Sequence, residues 1–296
     1  MKIVLAGGSG FLGTAWRDHL AREGHEVVRL VRGAALSTDE SHWDPYAGQV
    51  DRSVIEDADV VANLAGAALA HWPWTDSYKR TFTDSRVATT RTLAEAIARS
   101  DRKPALLAQS GVAGYGDQGD RILTEDAPVD ADTFMAGVVR AWEAAGAPAE
   151  AAGARVVRMR TAVILDRRGG ALKPLLLLFR AGLGGPVGSG KQYFSTMSLV
   201  DWLRAATFLA TRDDSRGAYN LSGPDATTNA EFGRELARRL HRPSRVPVPA
   251  FALNALAGTV SSELLNSTRV EPARLLSEGF TFEHPTLSDQ LDAALA

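Results

Sequence analysis

Short apolar runs alternate with amphipathic segments along the first 165 residues of the chain. A short apolar run is typical of a buried strand, whereas apolar residues three or four apart predict a helix. The predicted strands cover 3–6, 25–31, 59–64, 104–109 and 155–165, with a weak strand near 42–45, and the predicted helices cover 14–22, 76–99 and 132–151. This alternation predicts an α/β fold built on a doubly wound parallel sheet.

Glycines follow the first predicted strand directly. Gly7, Gly10 and Gly13 are spaced three residues apart, with a further glycine at position 8, and the first predicted helix comes next. Such glycines permit a tight turn, a close approach of backbone to a diphosphate, and close packing of helix on strand. We expect the helix N-terminus, with Phe11 and Leu12, to bind the phosphates of a dinucleotide. The alternative is an ordinary glycine-rich turn between a strand and a helix.

Two further segments indicate which dinucleotide binds and where it passes. An NAD-selective site has a carboxylate at the end of the second strand, where this chain has a valine followed by Arg32. Because an arginine suits the 2′-phosphate, we expect NADP(H) rather than NAD(H), and Arg29 is a weaker candidate for that contact. At the end of the strand 59–64, Leu64, Ala65 and Gly66 would line the path of the cofactor across the sheet edge.

Beyond residue 165 glycine- and proline-rich segments interrupt the alternation. The segment 185–191 spells GPVGSGK, but a glutamine and an extended stretch follow it, so we reject a P-loop. The predicted helices here cover 171–181, 199–211 and 229–240, with Asn229 as an N-cap; a short strand covers 218–221, and short helices run from the proline-rich 245–251 to about 276. The pattern predicts a dinucleotide-binding domain over 1–165. Residues 166–296 would form a mainly substrate-side region, with elements of about 192–221 returning to the main domain.

The composition of the chain limits the classes of partner that we expect it to bind. Its 296 residues are 45% hydrophobic and 23% charged, which is ordinary for a soluble globular protein, and its net charge of −2 favours neither nucleic acid nor a membrane surface. The longest apolar block, 175–179, is far short of the ~18 residues that span a bilayer. The chain has no cysteine, and its six histidines show no metal-ligand spacing. We expect a cytoplasmic protein with a small-molecule substrate and no metal; the sequence does not indicate an oligomeric state.

The loop after the strand 104–109 is the candidate substrate site. Ser110 follows the strand and Tyr115 lies in the polar, glycine-rich loop beyond it. Open α/β sheets bind substrates at the carboxyl ends of their strands. Trp72 and Trp74 precede the helix 76–99, where they would either cover a site or pack beneath a loop.

Several motifs together resemble the extended short-chain dehydrogenase/reductase superfamily. The resemblance is greater to its atypical "epimerase family" branch, also described as sugar-nucleotide epimerase-like or cell-division-inhibitor-like. The motifs are GGSGFLG, DVVANLAG, WTDSYKRTFTDSRVATTRTL, GYGDQGDR, RTAVIL, GLGGPVGSGKQYFS and RVEPARLLSEGF, and they extend nearly from end to end. The resemblance implies a Rossmann-like domain, bound NADP(H) and a small C-terminal domain without an assigned role.

The chain departs from the superfamily at the residues that transfer protons. There a tyrosine acts as acid and base, a lysine four residues later lowers its pKa, and a glutamate follows after four more. Glu143 matches the glutamate, which places Val139 at the lysine position and Met135 at the tyrosine position. Neither side chain can move a proton.

Other residues could replace the missing pair. Ser110 matches the superfamily serine that hydrogen-bonds the substrate, although a hydroxyl that only satisfies the strand end is equally compatible. Tyr115 could supply a phenolic proton, with a pKa near ~10 if no cation lies beside it. Lys79 and Arg86 lie on the preceding helix, where we expect solvated charges; Arg86 falls near a cofactor-side asparagine of related proteins. Near 193–202 this chain has Ser198 where related proteins have a histidine.

Two functions follow from these observations. The first is an NADP(H)-dependent oxidoreductase or epimerase for a small polar carbonyl, hydroxyl or sugar-nucleotide substrate, with Ser110 and Tyr115 as catalytic residues. The second is a protein that keeps the nucleotide but not the chemistry and serves as a sensor or an interaction protein.

Overall fold

The computed structural model describes residues 1–69, 71, 73–244 and 265–296. Its strands are β1 (Lys2–Ala6), β2 (Glu26–Val31), β3 (Glu40–Asp44), β4 (Gln49–Val50), β5 (Val60–Asn63), β6 (Ala105–Gly111), β7 (Ile122–Leu123), β8 (Val156–Thr161), β9 (Val163–Leu165), β10 (Thr196–Ser198), β11 (Gly217–Leu221) and β12 (Arg269–Val270). Its helices are α1 (Phe11–Arg22), α2 (Arg52–Glu56), α3 (Asp76–Arg99), α4 (Phe134–Ala144), α5 (Ala147–Ala151), α6 (Leu172–Arg180), α7 (Leu199–Thr211), α8 (Asn229–Arg239), α9 (Ala273–Ser277) and α10 (Leu287–Leu295).

An eight-stranded sheet forms the centre of the protein, in the order β11-β8-β6-β5-β1-β2-β3-β4. All of its pairs are parallel except the last, in which β4 runs antiparallel to β3. The predicted α/β fold with a doubly wound parallel sheet is therefore confirmed. The chain proceeds outward from β1 through β2 and β3, and then returns to β5 on the other side of β1. This reversal opens a crevice at the carboxyl ends of β1 and β5, where such sheets bind ligands.

Helices cover both faces of the sheet, which is why its strands are apolar on both sides. On one face α1 and α7 pack together through Trp16 and Trp202, whose rings meet edge to face at 6.1 Å. On the other face Leu93 and Ile97 of α3 pack against β1, β5 and β6. These two layers hold α1 and α3 rigidly beside the crevice.

Three predicted elements differ in the structure. The strand predicted over 155–165 is divided, because the N–H of Ala162 makes the last bond to β11, at Leu221, and the N–H of Val163 donates to Ser195 instead, after which β9 pairs with β10 in a separate small sheet. The helix predicted over 132–151 breaks into α4 and α5. The N-cap of α8 is Thr228 rather than Asn229, since Thr228 and Glu231 form a reciprocal capping box.

A smaller hydrophobic core lies in the C-terminal part of the chain. It is formed by α6, α8 and α10, through residues such as Leu176, Phe232 and Leu291. The strand β11 and the helix α7 instead pack with the central sheet. The division at residue 165 stays a prediction, and the proline-rich stretch 245–251 lies outside the described residues.

Candidate cofactor and substrate site

The glycine turn between β1 and α1 is closely packed against the end of β5. Gly7 has a φ of +81°, and a Cβ there would lie 2.6 Å from the backbone of Leu64 and Ala65. A Cβ on Gly13 would lie 2.1 Å from the carbonyl oxygen of Gly7. Since both contacts are with backbone atoms, neither position accepts a side chain without moving the turn.

The N-terminus of α1 is open to a ligand. Gly10 is the N-cap, no side chain caps the helix, and its first turn contains no acidic residue. A Cβ on Gly10 would meet only one neighbour, the carbonyl oxygen of Gly7 at 3.4 Å, and would otherwise project into open space. Free N–H groups at the positive end of a helix dipole suit an anion. The residues present therefore fit the diphosphate of a dinucleotide, with Phe11 and Leu12 in the first helical turn.

The far wall of the crevice is held by a buried asparagine. Asn63, at the end of β5, accepts a hydrogen bond from the backbone N–H of Ala65 at 3.0 Å. Its amide group donates to the hydroxyls of Thr89 and Thr90 on α3, at 3.1 and 2.8 Å. Because Asn63 is fully buried, these bonds give Leu64, Ala65 and Gly66 a defined path beside the glycine turn.

The two arginines of β2 and its end have different surroundings. Arg29 is paired with Asp39 at 3.2 Å and with Glu40 at 2.8 Å, so its charge is already compensated. Arg32 is exposed just beyond the strand, and no carboxylate of the described ranges forms an ion pair with it. Of the two, Arg32 is therefore the one available to a phosphate.

Arg86 is not a solvated helix charge, contrary to our expectation. Its guanidinium lies 3.4 Å above the centre of the Phe82 ring, and it donates to the backbone carbonyls of Ala67 and Phe82 at 3.1 and 3.0 Å. A Cβ on Gly66 would touch it at 3.2 Å. Burial lowers the pKa of Arg86 to about 10. Lys79, in contrast, pairs with Asp76 near the helix start.

Ser110 belongs to a buried polar network. It lies within β6 rather than after it, and its hydroxyl donates to the carboxylate of Glu143 on α4 at 2.7 Å. Arg160 of β8 binds both oxygens of that carboxylate, at 2.8 and 2.9 Å. Since Ser110 is only 3% exposed and its proton is directed at Glu143, its free lone pairs can act only as acceptors.

Tyr115 lies in the same network and is fully buried. Its hydroxyl donates to Asn220 at 2.8 Å and accepts from Arg160 at 2.9 Å. A cation therefore does lie beside the phenol, so the condition under which its pKa would keep the ordinary value is not met. Even so, burial raises the pKa of the phenol above its usual value, an effect larger than the opposing one of the Arg160 charge. The enclosure of this phenol argues against its use as an acid; its catalytic assignment is still only a prediction.

Met135 and Val139 lie on the buried face of α4. Met135 packs against Phe82. Val139 packs beneath the short 3₁₀ helix 112–115, where a Cβ on Gly114 would lie 2.7 Å from its side chain. The two positions of the superfamily's proton-transfer pair are thus filled by tightly packed apolar groups.

Ser198, Asp201 and His284 come together away from the glycine turn. Ser198 caps α7 and lies 3.1 Å from Nδ1 of His284, while Asp201 accepts from the backbone N–H groups of Glu283 and His284. Both Ser198 and Asp201 are buried. The cluster anchors the 283–284 segment to α7.

Other features of the described residues do not resemble a site. A cavity of about 460 Å³ lies at the amino ends of the strands, but Lys2 in its lining is already paired with Glu26 and Asp57, so its charge is not available to a phosphate. Within the described ranges no three metal-binding side chains cluster. Likewise, no helix in the described part of the chain has the length and apolar character needed to cross a bilayer.

Asn63 and Arg160 are the site residues that our reading of the sequence did not single out. Both are polar residues inside apolar strands, DVVANL and RVVRMRTAVIL. A polar side chain that the strand pattern buries needs a partner, and this was the available signal.

Comparisons with known proteins relate this chain to a family and to solved structures. Residues 3–161 match the NAD dependent epimerase/dehydratase family, and residues 248–294 match a domain of unknown function, DUF1731. The epimerase family protein Mb2239 of Mycobacterium bovis is 37% identical over 293 residues, covering 99% of this chain and 97% of that protein. The crystal structure of human epimerase family protein SDR39U1 (isoform 2) with NADPH superposes with a TM-score of 0.89 at 31% identity, covering 99% of both chains. The crystal structure of a nucleoside-diphosphate sugar epimerase from Corynebacterium glutamicum superposes with a TM-score of 0.83 at 32% identity, covering all of this chain and 58% of that chain.

Proposed function

The chain belongs to the NAD-dependent epimerase/dehydratase family within the extended short-chain dehydrogenases, and on that premise we propose that it is an NADP(H)-dependent oxidoreductase or epimerase acting on a small molecule. The observation that carries the proposal is the uncapped N-terminus of α1, which opens into the crevice between β1 and β5. The human relative solved with NADPH supports the choice of cofactor.

The residues of the crevice have separate roles in this proposal. The N–H groups at Phe11, Leu12 and Gly13 bind the diphosphate, and Arg32 binds the 2′-phosphate. When bound, NADP(H) supplies or accepts a hydride. The acceptor-only hydroxyl of Ser110 would receive a hydrogen bond from a hydroxyl-bearing substrate, whereas a carbonyl substrate makes no such bond with it.

Titration of the protein with both cofactors tests this proposal. We expect saturable binding of NADPH, and Arg32→Gln should weaken it by about tenfold while leaving NADH binding unchanged, because only NADPH carries the 2′-phosphate. Arg180, exposed at the end of α6, provides the matched control, and Arg180→Gln should bind both cofactors as the wild type does. Absence of saturable NADPH binding would refute the proposal.

The apolar pair Met135 and Val139 favours a second function. A chain that has lost both proton-transfer groups could use the nucleotide as a sensed ligand or as a switch for a partner protein. Incubation with NADPH and a panel of carbonyl compounds and sugar nucleotides separates the two functions. Turnover that Ser110→Ala abolishes supports the enzyme, whereas saturable binding without turnover supports the sensor.

We also propose a cytoplasmic protein whose partner is a small molecule rather than a nucleic acid or a membrane. The absence of cysteine and the net charge of −2 support this location and this partner. Separation of cell extracts into soluble and membrane fractions tests the location.

A further inference from the structure

Four aromatic rings form a connected cluster between the β5–α3 loop and α4. Trp74 contacts three of its neighbours, with ring centres 5.3 Å from Tyr78, 4.9 Å from Phe82 and 6.2 Å from Phe134. Phe82 is buried and the other three rings are half-buried; His71 is stacked on Tyr78 at 3.6 Å, so the open ring surface of the cluster belongs mainly to Trp74 and Phe134. We call Trp74, Tyr78, Phe82 and Phe134 the ring cluster.

The ring cluster adjoins the crevice where we place the cofactor. Ala67, which packs against it, follows Gly66 at the end of β5, and Ala113, which also packs against it, follows the end of β6. Met135 of α4 completes the packing. These are the carboxyl ends of two neighbouring parallel strands, the edge at which an α/β sheet holds its substrate.

A cation, Arg86, lies beside the ring cluster, and the apolar side chains of Met135 and Val139 offer no proton donor there. Nη1 of Arg86 is bonded to two backbone carbonyls, and no carboxylate of the described residues pairs with its guanidinium. Its remaining N–H groups can therefore stabilise negative charge on a ligand oxygen. A sugar hydroxyl, by contrast, needs a base to remove its proton during oxidation, and neither Met135 nor Val139 can act as one.

We infer that the substrate is a flat α,β-unsaturated carbonyl compound, the class that includes quinones and aryl enones, bound against the ring cluster with its oxygen toward Arg86. This inference rests on the proposed binding of NADP(H). Flat conjugated rings can make the offset-stacked or edge-to-face contacts of an aromatic pair with Trp74, whereas a sugar ring contacts it only through C–H groups.

The chemistry of this substrate class matches the side chains present. The substrate takes a hydride, a proton with two electrons, at its β-carbon, so that a C–H bond forms and the C=C π bond breaks. The electron pair moves onto the carbonyl oxygen, and NADPH is oxidised to NADP⁺. The resulting enolate is stabilised by conjugation and by the guanidinium of Arg86, and water then supplies its proton. No side-chain acid is needed at positions 135 and 139.

Equilibrium dialysis of naphthoquinone and of UDP-glucose against the full chain, with NADP⁺ present so that nothing turns over, tests the inference. We expect naphthoquinone to bind, Trp74→Leu to weaken its binding roughly 5- to 10-fold, and Trp74→Phe to weaken it no more than about twofold. Tyr46→Leu, an exposed aromatic in the turn after β3, is the matched control and should bind as the wild type does. Phe134→Leu replaces Trp74→Leu, with the same expectation, if the latter loses its native circular dichroism.

The outcomes separate this inference from the proposed function. If NADP⁺ binds but naphthoquinone affinity is the same in Trp74→Leu and the wild type, the inference fails and the proposed function stands. If UDP-glucose binds and naphthoquinone does not, the inference also fails. If NADP⁺ itself does not bind, the proposed function fails first. Consumption of NADPH with naphthoquinone, and not with UDP-glucose, completes the expected result.

Discussion

Substitution of Gly10 by alanine isolates the phosphate contact from the stability of the fold. Its backbone angles, φ −75° and ψ 174°, are open to alanine, and the new Cβ would meet only a carbonyl oxygen at 3.4 Å. Alanine at an N-cap lowers the free energy of unfolding by about 0.5–1 kcal/mol relative to glycine. The smaller entropy of the unfolded chain with alanine raises it by about 0.4–1 kcal/mol. We therefore expect Gly10→Ala to melt within about 3 °C of the wild type.

The same methyl group would lie where the diphosphate approaches the helix. Loss of one hydrogen bond to a charged phosphate costs about 1.5–3 kcal/mol, which corresponds to a roughly 10- to 150-fold increase in the Kd for NADPH. Fluorescence titration measures that Kd, and thermal unfolding without cofactor measures the stability. Gly13→Ala is the contrasting variant, because its Cβ would lie 2.1 Å from a backbone oxygen and should lower the melting temperature by several degrees. Wild-type NADPH affinity in a folded Gly10→Ala protein would refute our placement of the phosphates.

Two further predictions concern ion pairs. Glu143→Leu leaves the buried guanidinium of β8 without its charged partner, so we expect urea denaturation to show a loss of about 3–5 kcal/mol; a loss below about 1 kcal/mol would contradict a buried pair. Hydrogen bonds from Arg238 and Arg239 lower the pKa of Glu235 from 4.5 to about 2. As the pH falls, the unfolded chain takes up this proton before the folded protein does. The stabilisation from Glu235 is therefore complete above about pH 4.5 and is lost toward pH 2. Glu235→Gln should make the melting temperature depend less steeply on pH over that range. Equal pH slopes in the two proteins would contradict this assignment.

Much of the fold follows from local patterns in the sequence. The bounds of the helices 76–99 and 199–211 agree with the prediction, because their apolar residues keep helical spacing over many turns. The glycine turn could also be located from the sequence, because Gly7, Gly10 and Gly13 lie within one short strand–turn–helix unit. The doubly wound parallel sheet and the family were also accessible from the sequence, through the alternation of elements and the motifs, whereas the order of the strands was not predicted.

The boundaries that were missed depend on contacts made after the chain folds. Position 162 lies within one apolar stretch of the sequence, but the N–H of Ala162 is bonded to Leu221 of the central sheet and that of Val163 to Ser195 beside β10, so the strand divides between two sheets there. The N-cap at Thr228 follows from a reciprocal bond with Glu231 that the apolar pattern does not reveal.

The candidate site shows the same division between local and distant information. The sequence by itself determined that a dinucleotide turn is present and that the usual tyrosine and lysine are absent, because each is a matter of spacing within a few residues. Only the tertiary structure decided that Ser110 donates to Glu143 and that Tyr115 is enclosed by Arg160 and Asn220. The Tyr115–Asn220 partners are 105 positions apart in the chain, so no local pattern relates them. Burial, which sets whether a phenol can give up its proton, is a property of the packed sheet and not of any single segment.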